Sequence, residues 1–538
     1  MARYKPYNYD QSRFVAIDYR RQILPGTFEY AIDRLINERV DMEVFEARYR
    51  NDTRGATAYD PGLVLKVILF GYSKGITSSR GIEELCRTNV ICMALSADIA
   101  PHFSTIAEFV AKLPGEIISL FRDVLLVCDE AGLIGREMFA VDGVKLPSNA
   151  SKEWSGTKEE FQNKRQKMQR AIEVLTQSHR NTDACERDLP QGPNSGLLQS
   201  RLEDAASKQV DTLRKACEKI DEWSAANEDK RGASGQVIKS NITDNDSAKM
   251  KGPHGVIQGY SGIAVVDAKH QIVVHAQAHG SGNEQDTLIP TLEATQETFR
   301  AIASAPGAVD ILKQAAVSAD AGFHTESNVR YCIQNNLDAY VADKYFRKRD
   351  PRFQNADRFK PGKELTRAQK DAAMFTPEDF KVAEDFSYAI CPAGKRMYRN
   401  GRDRNLQGYD GIKFSGAKRD CLNCPLRHKC LRDPDKTLVR QFTHFLGRSA
   451  LVPETYTEKM KKRIDSVHGR YQYSRRLGTV EPVFANICNT LGLRRFSHRG
   501  KAKVNAQWMM FCMVHNIGKL RNCDLMGGKK ARSNEIRR

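Results

Sequence analysis

The chain has 538 residues, a formal net charge of +18 and a pI near 9.3. At about 150 residues per domain this predicts three or four units, and a positive excess of this size points to a polyanionic partner, of which nucleic acid is the usual one. The sequence reads without a secretory signal, an apolar run of about 18 residues or a strongly amphipathic basic helix, which argues against a membrane protein. Its thirteen cysteines, scattered apart from one cluster, suit a reducing cytosol rather than a disulfide framework.

Taken in order, residues 1–60 are polar and aromatic, with Phe28, Ala31, Leu35 and Ile36 on one helical face. A helix is predicted from Asp60-Pro61 to Gly71, with Leu63, Val64, Val67, Ile68 and Phe70 as its stripe. Another is predicted from Ser79 through Leu85, and a third from Thr105, where Glu108 three places on makes a capping-box pattern. Such short helices suit either a helix-turn-helix DNA binder or a small helical bundle. Residues 116–133 add an apolar helix ending at Gly132.

The period changes at Met138, where Met138 to Val141 reads as a short buried strand ending in Asp142-Gly143. An acid at a strand end points to the place where open α/β sheets bind ligands, although an aspartate before glycine is also a common turn residue. Residues 151–235 are highly charged, with helical spacing at Phe161, Met168, Ile172 and Leu175 and again at Val210, Leu213, Cys217 and Ile220, so an inserted helical hairpin is expected. Residues 259–268 and 271–281 read as a β-hairpin, preceded by Asp244 and Asp246. A helix follows at 286–302, then a strand at 315–319 delivering Asp320, a helix from near Thr325 and a strand at 337–343. The result is a mixed α/β sheet with Asp142 and Asp320 at adjacent strand ends.

Residues 344–450 read as basic and loop-rich, and hold the cysteine cluster Cys391, Cys421, Cys424 and Cys430. Cys421-x₂-Cys424 is a chelating pair, and the four thiols make a tetrahedral set for a structural Zn²⁺, with His428 a possible replacement for one of them. His254, His275, His279 and His324 lack ligand spacing. The last part carries Glu481 among Arg475, Arg476, Arg494, Arg495 and Arg499, an apolar helix from Trp508 to Leu520, and a basic tail expected to be disordered. Glu481 is either an ion-pair partner or a metal ligand beside a phosphate-binding surface. Hard oxygen donors such as Asp142, Asp320 and Glu481 are what a pair of Mg²⁺ ions about 3.5–4 Å apart requires for phosphoryl transfer.

Several separate motifs, in order over roughly residues 25–520, give a specific resemblance: PGLVLKVILFGYSKGITSSRGIEELC (61–86) with HFSTIAEF (102–109), AVDGVKLPSNAS (140–151), ADAGFHTESN (319–328), YSRRLGTVEPVFANI (473–487) and RRFSHRGKAKVNAQWMMFCMVHNIGKL (494–520). Together they resemble the DDE transposases of bacterial insertion sequences, in the group with a tyrosine–arginine–glutamate–lysine signature. The resemblance implies an α/β, ribonuclease-H-like mixed-sheet core with an all-α N-terminal domain and an inserted helical hairpin. The implied division is 1–135, helical and DNA-binding; 136–150 with 236–345, the first part of the core; and 151–235, the hairpin. It continues with 346–450, a basic insert with a zinc-like module, 451–522, the end of the core, and 523–538, the tail.

The resemblance further implies Asp142, Asp320 and Glu481 as catalytic, Mg²⁺-binding residues, with Mn²⁺ able to substitute. Tyr473 and Arg476 take the signature's tyrosine and arginine places, and with Arg475, Arg494, Arg495 and Lys145 form the DNA-contacting set. There are two departures. Arg476 lies five residues before Glu481, one more than the signature spacing, and Cys488 stands where the signature lysine belongs. The implied activity is strand cleavage at element ends followed by strand transfer through 3′-hydroxyl attack. The implied partners are double-stranded DNA, as terminal repeats and target, and further copies of the chain, as a homodimer or larger assembly at the bacterial nucleoid in the cytoplasm. The rival readings are an inactive, transposase-derived DNA-binding protein and a metal-dependent site-specific nuclease without strand transfer.

Overall fold

The computed structural model describes residues 10, 16–47, 49, 57–185, 195–232, 235–252, 255–302, 310–353, 374–401, 404–406, 408–449, 453–521 and 523. They form two compact units, one of Met1–Lys344 with Ser466–Arg538 and one of Tyr345–Asp465. Most of the basic tail foreseen over 523–538 lies outside the described residues.

The first unit opens with short helices: α1 (Phe28–Glu38), α2 (Pro61–Ser73), α3 (Ser79–Thr88), α4 (Val90–Ser96), α5 (Phe103–Lys112) and α6 (Pro114–Glu130). Their starts follow capping chemistry. Asp60 Oδ1 accepts from the backbone N–H groups of Gly62 (2.6 Å) and Leu63 (3.2 Å), with Pro61 at the first helical position where no donor is missed. α2 runs past Gly71, whose missing side chain lets Ile82 of α3 press close: a β-carbon there would lie 2.8 Å from Ile82 Cγ1. Two expectations need correction. α4 was not foreseen; Asn89 caps it and Ala97 ends it in the left-handed region. α5 begins two residues before Thr105, because the His102 ring rather than Thr105 accepts from the Ser104 N–H (3.3 Å), so Glu108 is free to pair with Lys112 one turn on.

A six-stranded mixed sheet follows, built from β1 (Met138–Pro147), β2 (Ala248–Gly252), β3 (Gly255–Asp267), β4 (Val273–His279), β5 (Ala316–Ala319) and β6 (Asp338–Val341). β1 is central. β3 pairs with it antiparallel and β5 parallel, β6 lies parallel outside β5, and β2 and β4 both pair antiparallel with β3. β1 does not end at Val141, as the hydrophobic run predicts. β5 stops opposite it at Ala319, whereas β3 goes on pairing as far as Gly259 opposite Pro147, so Asp142 and Gly143 stay in the ladder. Between β1 and β2 come the long helices α7 (Lys158–Cys185) and α8 (Ser195–Ala226), pinned at one end by Phe161, Ile220 and Trp223. Beyond β4 are α9 (Leu288–Ile302) and α10 (Glu326–Gln334), the latter capped by Thr325.

The last two helices of this unit, α11 (Val467–Ala485) and α12 (Lys501–Leu520), return to the sheet. α12 starts seven residues before Trp508 because Asp244 and Asp246 cap it: their carboxylates accept from the N–H groups of Gly500 (3.1 Å) and Lys501 (2.8 Å). Its side chains also serve edge strand β4. Asn516 bonds both backbone groups of Val273 (2.8 Å each) and Asn505 accepts from Ala278 N–H (2.8 Å), so the edge is covered rather than left to pair with another chain. Trp508 is fully buried, donates to the Ile263 carbonyl (3.0 Å) and lies where a β-carbon on Gly262 would be 2.9 Å from its ring. Trp508→Ala is expected to lower stability by about 3–5 kcal/mol, read as a lower denaturant midpoint.

Buried histidines are expected to make this unit acid-sensitive. His515 donates from Nε2 to the Gln271 carbonyl and accepts at Nδ1 from the Asn486 amide (2.9 Å each), and burial holds its pKa down at about 4; burial does the same to His275. A histidine neutral in the fold but protonated when unfolded takes stability away as pH falls from about 6.5 towards 4. The thermal midpoint is therefore expected to drop over that interval, and His515→Gln to flatten the slope by about one proton. An unchanged slope would exclude His515 as a contributor.

The second unit was expected to be loop-rich but carries a six-stranded antiparallel sheet, with strands at Lys381–Val382, Tyr388–Ile390, Arg396–Arg399, Arg404–Leu406, Tyr409–Gly416 and Gln441–Arg448. Phe380, Ala389, Met397, Ile412, Phe414 and Phe442 form its core.

Candidate active site

The site follows from strand register. β1 and β5 run parallel with Val141 opposite Ala319, so the next residue on each, Asp142 and Asp320, leaves the parallel pairing at the same level. Helix α11 crosses this part of the sheet with Gly469, Tyr473, Arg476, Thr479, Val480 and Val483 on its buried face. The Arg476 guanidinium reaches both acids: Nη1 lies 2.5 Å from Asp142 Oδ2 and Nη2 3.0 Å from Asp320 Oδ1. Its side chain is 6% exposed, against 22% for Asp142 and 40% for Asp320.

Burial raises the Asp142 carboxyl above its usual range and outweighs the nearby Arg476, which pulls the other way. Burial opposes the Arg476 charge too, but Asp142, Tyr473 and Asp320 more than offset it and leave that pKa raised. The Tyr473 ring lies 5.5 Å from the guanidinium carbon, and burial pushes its hydroxyl up to about 12. The signature tyrosine and arginine places are thus inside, and the Arg476 head group is spent on carboxylates.

Glu481 is placed differently. Five residues after Arg476 on one helix, it sits about 140° around the axis and about 7.5 Å along it. It is exposed, and among the described residues no hydrogen bond or ion pair reaches its side chain. The position four residues on, which shares the face of Arg476, is taken by the fully buried Val480. The extra residue in the signature spacing has this consequence.

Of the other basic residues, Arg494 is exposed. Arg495 and Arg499 donate through Nε to the carbonyls of Ser148 (3.0 Å) and Asn149 (2.7 Å), tying their loop to the end of β1. Arg475 donates to Gln472 (3.3 Å), and Lys145 pairs with Glu284 (3.1 Å). Cys488 lies half-buried in a π-helical turn, Asn486–Thr490, and burial lifts its thiol to about 11. His324 bonds the Val341 carbonyl (2.9 Å) through Nδ1.

In the other unit, Cys391, Cys421, Cys424 and Cys430 line one cavity of about 40 Å³, next to Phe375 and Arg440. The donor set suits Zn²⁺. His428 is exposed and does not line the cavity. Among the described residues, no three Cys, His, Asp or Glu side chains stand as they are in an arrangement that could hold a metal ion. At Asp142 and Asp320 a cation of the protein's own, Arg476, lies between the oxygens.

A family model described as "Transposase DDE domain" matches residues 390–521, and one described as "Transposase domain (DUF772)" matches residues 17–112. Both families are transposases, and together they support a DDE transposase of an insertion-sequence type. The first match contains the cysteine cluster and Glu481; the second covers α1 to α5; Asp142 and Asp320 fall outside both. No curated protein matches the chain. No helix among the described residues is long and apolar enough to cross a membrane.

Proposed function

We propose that this transposase cuts DNA at the ends of its element and joins the freed 3′ ends to target DNA, by divalent-metal-dependent phosphoryl transfer at Asp142 and Asp320. The observation that carries the proposal is the pair of aspartates leaving adjacent parallel strands at one level, around a single positive group. The strand order supports a ribonuclease-H-like core: β4, β3 and β1 antiparallel in sequence, then β5 and β6 parallel to β1. The resemblance assigns the third acid to Glu481; since that side chain faces solvent here, the proposal stands on the two aspartates.

Mg²⁺ ions held by these carboxylates, with Mn²⁺ able to replace them, would supply activation of the attacking oxygen and neutralisation of the leaving one. The protein's part is to position and to compensate charge. Asp142 and Asp320 present hard oxygen donors from a rigid sheet, and Arg476, once displaced from them, is within reach of a phosphate that it can grip with both guanidinium nitrogens. In the cut, a water oxygen bonds to phosphorus and the element's 3′ oxygen departs as a hydroxyl. In the joining step that hydroxyl makes the new bond to a target phosphorus and the target's own 3′ oxygen leaves.

The N-terminal helices, the hairpin α7–α8 and the exposed Arg494 are the parts we assign to binding terminal repeats. Phosphate contacts there would make binding fall steeply with salt. The four cysteines would hold Zn²⁺ in a purely structural role, and paired ends call for at least a dimer on DNA. A second reading, a DNA-binding protein that no longer cuts, draws support from Cys488 in the lysine place and from the outward Glu481. Labelled element-end DNA incubated with the protein and Mg²⁺ separates the readings: cut and joined products support transposition, cut products alone a nuclease, and binding without cutting the inactive protein.

A further inference from the structure

The sheet of the 345–465 unit has one buried face and one open face. We infer that the open face binds single-stranded DNA, stacking unpaired bases on its aromatic rings and holding phosphates with its cations. Strand alternation assigns the faces. Ala389, Met397, Ile412, Phe414 and Phe442 point into the core, so the alternate positions Tyr388, Arg396, Tyr398, Lys413 and Phe445 point the other way. Tyr388 stands directly opposite Tyr398 on the next strand. Phe445 stands opposite Gly411, where a β-carbon would lie 3.4 Å from its ring.

An antiparallel sheet with one face in water turns polar residues outward. Here large rings are turned outward instead: Tyr398 is 46% exposed and Phe445 54%. The Arg396 guanidinium carbon lies 4.3 Å from the Tyr388 ring centre and 5.8 Å from that of Tyr398, a cation within reach of both rings. Among the described strand positions on this face none is Asp or Glu. The acids at its margins are engaged. Asp385, in the turn before Tyr388, accepts from the Ser387 N–H (3.1 Å) and hydroxyl (2.8 Å). Glu458 accepts from the Tyr409 hydroxyl and the Thr455 N–H (3.0 Å each). Rings interleaved with uncompensated cations suit a polyanion that also carries flat apolar faces, which is nucleic acid with its bases unpaired. A duplex buries those faces in its own stack and could use only the cations. The transposase families, one of which matches residues 390–521, make DNA the nucleic acid to expect. The inference does not rest on the catalytic reading of Asp142 and Asp320.

The test is fluorescence anisotropy of the full-length protein with a labelled oligothymidylate of about 20 nucleotides, a size that spans at least one such site. EDTA is present throughout, so the outcome is independent of whether the protein cuts. Tyr398→Ala and Phe445→Ala are each expected to weaken oligothymidylate binding at least fivefold, the loss of about one stacked base, while binding to a duplex of equal length stays within twofold. Tyr398→Phe, which keeps the ring, should bind as the wild type does. A smaller loss in either alanine variant, or an equal loss on duplex, overturns the inference. So does a wild type that binds an abasic strand, with phosphates but no bases, as tightly as oligothymidylate. If the alanine variants instead lower the sedimentation mass and leave oligothymidylate binding unchanged, the face meets a second copy and the inference fails. Should a variant fail to fold, photo-crosslinking of the wild type to a strand carrying 5-iodouracil decides. Crosslinks at Tyr388, Tyr398 or Phe445 are expected, and crosslinks confined to other residues refute the site.

Discussion

Asp142→Asn and Asp320→Asn are each expected to bind element-end DNA as tightly as the wild type and to cut it at least a thousandfold more slowly. A factor of that size is about 4 kcal/mol of transition-state stabilisation, within what loss of a ligand to a catalytic ion removes. Asparagine keeps the shape and one oxygen but not the charge, so the change isolates the electrostatic part. Neither substitution alters a residue we assign to gripping DNA, which is why affinity should hold while the rate collapses. The salt dependence of binding should also be unchanged, since no phosphate contact is removed. Either variant cutting at a rate within tenfold of the wild type would refute the aspartates as the catalytic pair. Asp320 is 40% exposed, so Asp320→Asn is expected to fold as the wild type does; Asp142→Asn relieves the burial of a carboxylate but takes a partner from the buried Arg476, so its folding is checked by a denaturant midpoint alongside the rate.

What sequence could reveal of this site depends on how far each residue is marked by its neighbours. Asp142 and Asp320 each follow an apolar strand pattern, and the change from helical to strand periodicity at Met138 is visible without a structure. The reach of β1 through Gly143 to Pro147 is not, because it depends on β3 continuing alongside it, from Gly259 opposite Pro147 to Ile263 opposite Gly143. The helix carrying Glu481, Val467–Ala485, is not among the elements the sequence predicts, and neither is its geometry. A count of five residues from Arg476 is legible, but its meaning, a turn away from the sheet, needs the buried face of α11 to be known. The sheet of the 345–465 unit was unreadable for another reason. Four of its six strands have four residues or fewer, as in Arg396–Arg399, where only Met397 is buried, so no run of alternation stands out there.

The guanidinium of Arg476 is the part of the site whose removal should have the most informative effect. It is a buried cation held by two carboxylates, with its Nε lacking a partner. Breaking a fully buried pair by deleting one member costs about 3–5 kcal/mol, but Asp320 is largely solvated, so Arg476→Met is expected to lower stability by about 2 kcal/mol. The residual repulsion between Asp142 and Asp320 should fall hardest on Asp142, the more buried of the two. A divalent ion replaces the lost positive charge. The variant's thermal midpoint should therefore rise more with added Mg²⁺ than the wild type's does, because in the wild type the ion has first to displace the guanidinium. Cutting should nevertheless be impaired, since the phosphate grip assigned to Arg476 is gone. Equal gains from Mg²⁺ in both proteins would mean that Arg476 and the ion do not compete for the same oxygens, and that the guanidinium marks an ion pair of the fold rather than the place of the metal.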